Sequence, residues 1–282
     1  MIRQRLAASP VLLVLVSVVS VQIGSSLAKD LYTHATPLGV AWLRLVFAAL
    51  ILGALTRPKI RGRSASEWRG VVGYGLAMAA MNASFYLSIQ RIPIGMAVTF
   101  EFLGPLTLAV LGSRRARDLL WVVLAGGGVA TLGFSPGALD PLGVALALLA
   151  GTFWALYIVM AARVGRHWSG VTGVTVATWV GAIGLTIPLL VLGQVPGPQP
   201  RVWAMGVVVA LLASVISYGL EMIALRRLSK GVFGILMSTE PAAAALMAWM
   251  ILGEALRPVE WLAMAAVITA SVGATRSGQS GR

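Results

Sequence analysis

Four ionisable residues stand inside long apolar runs of this sequence: Arg44, Glu101, Glu221 and Glu240. A charge at the centre of a bilayer costs roughly 2.5–3.5 kcal/mol on insertion scales, so each one needs a reason to be there. A carboxylate in hydrocarbon is stabilised by gaining either a proton or a cationic partner. That property suits a proton-coupling group, and it equally suits a partner for a substrate ammonium. Arg44 supplies the opposite charge, a fork of donors for a carboxylate. The competing reading is structural: Arg44 paired with one of the glutamates, and Glu221, late in its run, paired with Arg226 or Lys230. Glu101 and Glu240 lie near the middle of their runs, close to Pro105 and Pro241.

Uncharged polar groups extend this set. Asn82, Tyr86 and Gln90 recur at i, i+4, i+8 and so fall along one helix face. Gln22, Ser25 and Ser26 share one run, Trp154 and Tyr157 another, and Ser217 and Tyr218 precede Glu221. Hydrogen bonding between helices, worth about 0.6 kcal/mol on average, explains an isolated serine better than a stripe of Asn, Tyr and Gln. The expected substrate lining is therefore Arg44, Asn82, Tyr86, Glu101, Trp154, Tyr157, Tyr218 and Glu240. Glu101 and Glu240 are the expected proton-coupling groups, and Pro105 and Pro241 the expected helix breaks.

Other chemistries find no residues. There is no cysteine, hence no thiolate nucleophile, disulfide or zinc–thiolate site. His34 and His167 fall in connections, and no His-Glu-x-x-His or phosphate loop occurs. Gly126, Gly127 and Gly128 lie within an apolar run and read as packing. No metal or cofactor is expected, and no catalytic residue.

The elements that must hold these side chains are membrane spans. Of the 282 residues, 58 % are hydrophobic and 11 % charged, with a mean hydropathy of +0.88. A soluble domain carries about a quarter charged residues. Ten apolar stretches approach the ~20 residues that cross a bilayer: about 10–28, 38–56, 69–88, 94–112, 119–135, 142–162, 171–192, 202–225, 232–252 and 259–275. Their connections leave no room for a soluble domain. The net charge of +13 comes in short basic clusters without interleaved aromatics, so it points to an anionic membrane face and not to nucleic acid. With the N-terminus inside, 17 Lys and Arg fall on the cytoplasmic side and 4 on the other, with Arg44 in a span. Both termini are expected in the cytoplasm. Arg3 and Arg5 before an apolar run ending in Ser26-Leu27-Ala28 resemble a signal peptide, but the run is longer than a signal core and is expected to stay as span 1.

An internal repeat organises the spans. At an offset of 136 residues Arg91 matches Arg227, Gly95 matches Gly231, and Pro105 matches Pro241. Two five-span halves, 1–137 and 138–282, are the expectation, and five being odd, the second enters the membrane inverted. Inverted repeats with interrupted helices at matching positions point to a secondary transporter whose site lies near the midplane. Small residues at four-residue spacing, Gly143, Ala147 and Gly151 in span 6 and Ala266, Ala270 and Ala274 in span 10, predict close-packing seams. The protein is expected to act as a monomer or homodimer.

Several stretches are similar to the bacterial threonine/homoserine exporter family, among the EamA-type members of the drug/metabolite transporter superfamily. They are Gly24 to Lys29, Leu43-Arg44-Leu45, Met81-Asn82, Phe85 to Gln90, Glu101-Phe102, Gly104-Pro105-Leu106, Ser113-Arg114-Arg115, Glu221 to Leu225, Leu236-Met237-Ser238 and Glu240-Pro241. The likeness covers nearly the whole chain. It implies an inner-membrane exporter of small amino acids that exchanges substrate for protons by alternating access. In that scheme a substrate ammonium meets Glu101 or Glu240 and its carboxylate meets Arg44, Asn82 or Tyr86. Export of cationic or hydrophobic drugs by the same fold is the alternative. An intramembrane enzyme would need a paired nucleophile and base, and a scaffold would need no paired helix breaks.

Overall fold

The computed structural model describes residues 9–111, 119–133, 139–168, 171–225, 227–228 and 230–279, and these are helical with short connections. The helices are α1 (Pro10–Asp30), α2 (Pro37–Thr56), α3 (Ala65–Ile89), α4 (Ile94–Glu101), α5 (Leu103–Leu111), α6 (Leu119–Gly133) and α7 (Pro141–Val164). They continue with α8 (Thr172–Val191), α9 (Pro200–Ala210), α10 (Ser217–Leu225), α11 (Lys230–Met237), α12 (Glu240–Leu252) and α13 (Pro258–Gln279). A π-helical segment, Leu211–Ile216, joins α9 to α10. The basic residues at 3, 5, 114, 115, 117, 226 and 282 lie outside the described residues.

The sequence starts its helices with proline, whose missing N–H is no loss in a first turn. Pro10, Pro37, Pro141, Pro200, Pro241 and Pro258 stand there. Thr36 caps α2 by accepting from Gly39 N at 3.1 Å, and Asp140 caps α7 by accepting from Leu142 N at 2.8 Å. Ser64 and Glu67 form a reciprocal capping box on α3.

Eight helical stretches among the described residues are long and apolar enough to cross a membrane, counting α9 through the π segment to α10 as one and α11 with α12 as another. Two shorter apolar helices, Ile94–Leu108 and Leu119–Gly128, fall where spans 4 and 5 are expected. Leu50, Leu55, Ile183, Ile187, Val191, Met250 and Leu262 are exposed, an outer surface suited to lipid.

The helix breaks differ in detail from expectation. The stretch expected as span 4 is interrupted at Phe102, three residues before Pro105, and that expected as span 9 at Ser238 and Thr239, just before Pro241. A proline removes its own N–H and crowds the carbonyl four residues back, so the disruption lands upstream of the ring. As a result Glu101 ends α4 and Glu240 begins α12. Both carboxyls are thus placed at breaks rather than within unbroken helix.

Packing is dominated by contacts between residues 1–137 and 138–282. Helix α3 packs on α7 and α8, α2 on α8 and α9, and α1 on α9, the π segment, α10, α11 and α12. Helices α4 and α5 pack on α7, α4 on α12, and α6 on α13. The glycine seam is tight: a Cβ on Gly104 would stand 1.9 Å from the Gly151 carbonyl oxygen, and one on Gly151 2.6 Å from the Glu101 carbonyl oxygen. Gly143 approaches Ile92, and Ala147 is fully buried. The second seam joins Ala266 to Gly128. Among the described residues Gly126 and Gly127 meet no neighbour, so there only Gly128 of the three packs as expected.

Candidate functional site

Arg44 is buried on α2, and its partners come from the π segment. Its Nε donates to Ser214 Oγ at 3.0 Å and its Nη2 to the Ala213 carbonyl oxygen at 2.7 Å. Ser20 Oγ of α1 donates to the neighbouring Leu212 carbonyl oxygen at 2.8 Å. A π turn widens the helix and breaks its regular ladder, and such segments cluster at functional sites. Here two of its carbonyls accept side-chain donors from other helices. The guanidinium carbon lies 5.9 Å from the Tyr86 ring centroid. The buried Tyr86 hydroxyl makes no hydrogen bond of ordinary geometry among the described residues.

Around Arg44 the acidic residues gather from separate helices. Its charge is felt at Tyr86, Tyr218 and Glu101, while Glu240 interacts with Glu221, Glu101 and Arg44. Glu221 accepts a hydrogen bond from Ser17 Oγ of α1 at 2.7 Å. Tyr218 links Arg44 to Glu221 and to the pair Tyr74 and Tyr157, whose rings are 4.8 Å apart. One cluster therefore holds one guanidinium, three carboxyls and several phenols, with Arg44, Glu240, Tyr74 and Tyr86 buried and Glu101, Glu221, Tyr157 and Tyr218 half-buried. Buried charges are tolerated only when paired, hydrogen-bonded or neutralised, and a single guanidinium does not balance three carboxylates.

Of the expected site residues, Arg44, Tyr86, Glu101, Tyr157, Tyr218 and Glu240 meet in this cluster. Asn82 is buried, but its Nδ2 donates to the Met78 carbonyl oxygen of its own helix at 2.8 Å. Trp154 packs edge-on against Phe102 at 5.0 Å, in the apolar core beside the α4–α5 break. Gln90 lies past the end of α3 and is exposed, so the Asn82–Tyr86–Gln90 stripe contributes one member to the cluster. Among the described residues the hydrogen-bond partner of Glu221 is Ser17, while Arg226 and the Lys230 side chain, its expected alternative partners, lie outside the described residues. Tyr74, Ser17 and Ser214 were not foreseen. Ser214, Ser217 and Glu221 at i, i+3, i+7 carried a signal for that face, whereas Ser17 and Tyr74 look like ordinary polar residues in apolar runs.

One mouth of the bundle is tied by ions. Lys29 at the end of α1 pairs with Glu254 and donates to the Ile92 carbonyl oxygen at 3.1 Å. The second Glu254 oxygen accepts from Ile94 N, at the start of α4, at 2.9 Å. Arg91 pairs with Asp140 at 3.0 Å nearby in the chain. Among the described residues no group of His, Cys, Asp and Glu could hold a metal.

The profile of the EamA-like transporter family matches residues 141–276. The threonine/homoserine exporter RhtA of Escherichia coli K12 is 42 % identical over 273 residues, covering 94 % of this chain and 91 % of the exporter. The threonine/homoserine exporter of Salmonella typhimurium LT2 is 43 % identical over 274 residues, with the same coverage of both chains. A crystal structure of a protein only 16 % identical superposes with a TM-score of 0.65, over 95 % of this chain and 98 % of that one, a likeness of fold alone. This multi-pass membrane chain, all-helical where described and with helix breaks beside Glu101 and Glu240, belongs to the EamA-like transporter family, among relatives that are threonine/homoserine exporters, and is a transporter and not an enzyme.

Proposed function

We propose that the protein is an inner-membrane secondary transporter that exports small amino acids of the threonine and homoserine kind, by proton antiport with alternating access. The observation that carries this reading is the cluster of Arg44, Tyr86, Glu101, Tyr218, Glu221 and Glu240, with two of its carboxyls at helix breaks. A zwitterion brings one ammonium and one carboxylate. Glu101 or Glu240 would take the first, and Arg44 with the neighbouring Tyr86 hydroxyl the second. A proton competing for the same carboxyl would couple the two flows. The relatives' printed activity supports the choice of amino acid.

The reading includes ten spans in two inverted halves, 1–137 and 138–282, with both termini in the cytoplasm. The contacts support it, because exchanging the halves maps one set onto another. The α3–α7 contact maps onto that of α1 with α9 and α10, α2–α9 onto α3–α8, α4–α7 onto α1–α11 and α5–α7 onto α1–α12, while α2–α8 and α6–α13 map onto themselves. Motion at the breaks before Pro105 and Pro241 would then open one face as the other closes.

The test is transport from liposomes. Labelled threonine inside, with a proton gradient imposed, should leave in a gradient-dependent way, and Glu101→Gln and Glu240→Gln should each abolish that dependence while remaining folded. Full gradient-driven efflux by both variants would overturn the assignment. The excess of carboxyls over the single guanidinium also suits export of cationic drugs. Competition separates the two: amino acids displace labelled threonine in the first case, and only cationic compounds compete in the second.

A further inference from the structure

A second site lies away from the central cluster, at the opposite end of α3 from the Lys29–Glu254 tie. Between the first turns of α3, the last turns of α7 and the connection that follows is a cavity of ≈ 360 Å³. Its lining includes Arg69, Arg163, Arg166, His167, Glu67 and Trp168. Met160, Val164 and Gly70 form its apolar side. The acidic member is already answered: Glu67 takes Arg63 Nη1 at 2.9 Å and Ser64 N at 2.8 Å. Arg63 also donates to the His167 carbonyl oxygen at 2.8 Å and stacks 4.4 Å from the Trp168 ring centroid. This ties the α2–α3 connection to the α7–α8 connection and preforms the wall.

The three remaining arginines, Arg69, Arg163 and Arg166, are exposed and make no ion pair or hydrogen bond among the described residues. Trp168 is 2 % exposed, yet its indole N–H has no acceptor there. A buried donor without a partner is uncommon, and three unanswered guanidiniums around one cavity call for an anion. The place selects which anion. The cavity sits where two apolar spans meet a basic connection, with Trp68 edge-on to Trp168 at 5.9 Å, an arrangement of the membrane–water boundary.

We propose that this cavity binds the phosphodiester headgroup of an anionic phospholipid, phosphatidylglycerol or its dimeric relative, with Arg163, Arg166 and Arg69 around the phosphate and the acyl chains running down the α3–α7 surface. Basic pockets at helix ends are suited to such headgroups. The inference needs only the multi-pass reading and not the transported substrate. The headgroup bridges α3 and α7, two helices of different halves, and so would steady that contact.

The test uses the purified full chain in detergent, with native mass spectrometry counting retained lipid and a thermal midpoint read beside it. Phosphatidylglycerol should be retained and should raise the midpoint, and phosphatidylcholine should do neither. The double variant Arg163→Ala, Arg166→Ala should lose retention about tenfold. The double variant Arg57→Ala, Lys59→Ala removes as much charge from a neighbouring connection and should retain lipid as the wild type does. Trp168→Phe keeps an aromatic ring under Arg63 but removes the indole N–H with the ring that carries it, while Arg69→Ala removes one exposed guanidinium alone; each should weaken retention severalfold even if the double variant fails to fold. Equal retention of both lipids, equal loss in the Arg57/Lys59 variant, or undiminished retention in Trp168→Phe together with Arg163→Ala, Arg166→Ala would overturn the proposal. Inorganic phosphate that displaces the lipid and alone reproduces the thermal shift would overturn it too, by assigning the cavity to a free anion.

Discussion

At the scale of single residues, Arg44 carries two loads. It is the positive charge of the cluster, and it satisfies the π segment through the Ala213 carbonyl and Ser214 hydroxyl. A lysine at that position keeps the charge but replaces a planar fork with one compact ammonium, which cannot reproduce both bonds while facing Tyr86. Arg44→Lys should therefore fold but transport at least about tenfold more slowly, in efflux of labelled threonine. Arg44→Ala should also lower the unfolding free energy by about 1–3 kcal/mol, because a buried carbonyl loses its donor. Asp140 acts outside the spans. The Arg91 guanidinium beside it, with the amides of Gly143 and Leu142, holds its carboxyl below the ordinary value of 3.8. Stability from that group is present above the ordinary value and fades as pH falls through the lower folded-state value. The thermal midpoint of the wild type should thus drop on acidification below about pH 4, and Asp140→Asn should start lower and drop less over the same range.

At the scale of elements, the long apolar helices were legible because hydropathy and proline both speak at close range along the chain. The matched prolines likewise announced where the helices would break, though the breaks fall upstream of the rings, at Phe102 and at Ser238 and Thr239. What could not be read is what depends on distant partners. The π segment has no sequence signature, and nothing local shows that Asn82 spends its amide on Met78. The tie between Lys29 and Glu254 joins residues near opposite ends of the chain. That tie holds the end of α1, the start of α4 and the α12–α13 connection together, so opening this mouth requires breaking it. A charge swap tests the tie. Lys29→Glu and Glu254→Lys should each make a cysteine placed at Ile92 react faster with a water-soluble thiol reagent, in a chain that has no cysteine of its own. The double swap should restore protection in part. Restoration stops short because a lysine at 254 cannot accept from the Ile94 amide that Glu254 now satisfies.

For the whole molecule, the described parts of residues 1–137 and 138–282 interleave: the most extensive helix contacts run between them, α3 on α7 and α8, α2 on α8, α1 on α10 and α12, and α6 on α13. Each half alone would present to lipid the surfaces that now pack against the other, including buried Arg44, Glu240 and the close glycine approach of Gly104 to Gly151. Lipid tails satisfy apolar side chains as well as protein does, so the cost of separation falls on the polar groups and on the tight backbone contacts. Polar groups in lipid have no water to replace a lost partner. A chain split between residues 137 and 138 should therefore behave asymmetrically with respect to company. Either piece produced alone should be degraded or misassembled, while the two produced together should co-purify through a tag on one of them and recover threonine efflux in vesicles. Adding Gly104→Ala to the first piece should prevent co-purification, since a methyl there meets the Gly151 backbone. A split pair that assembles equally well with and without that methyl would mean that the halves are held by surfaces other than the α5–α7 seam.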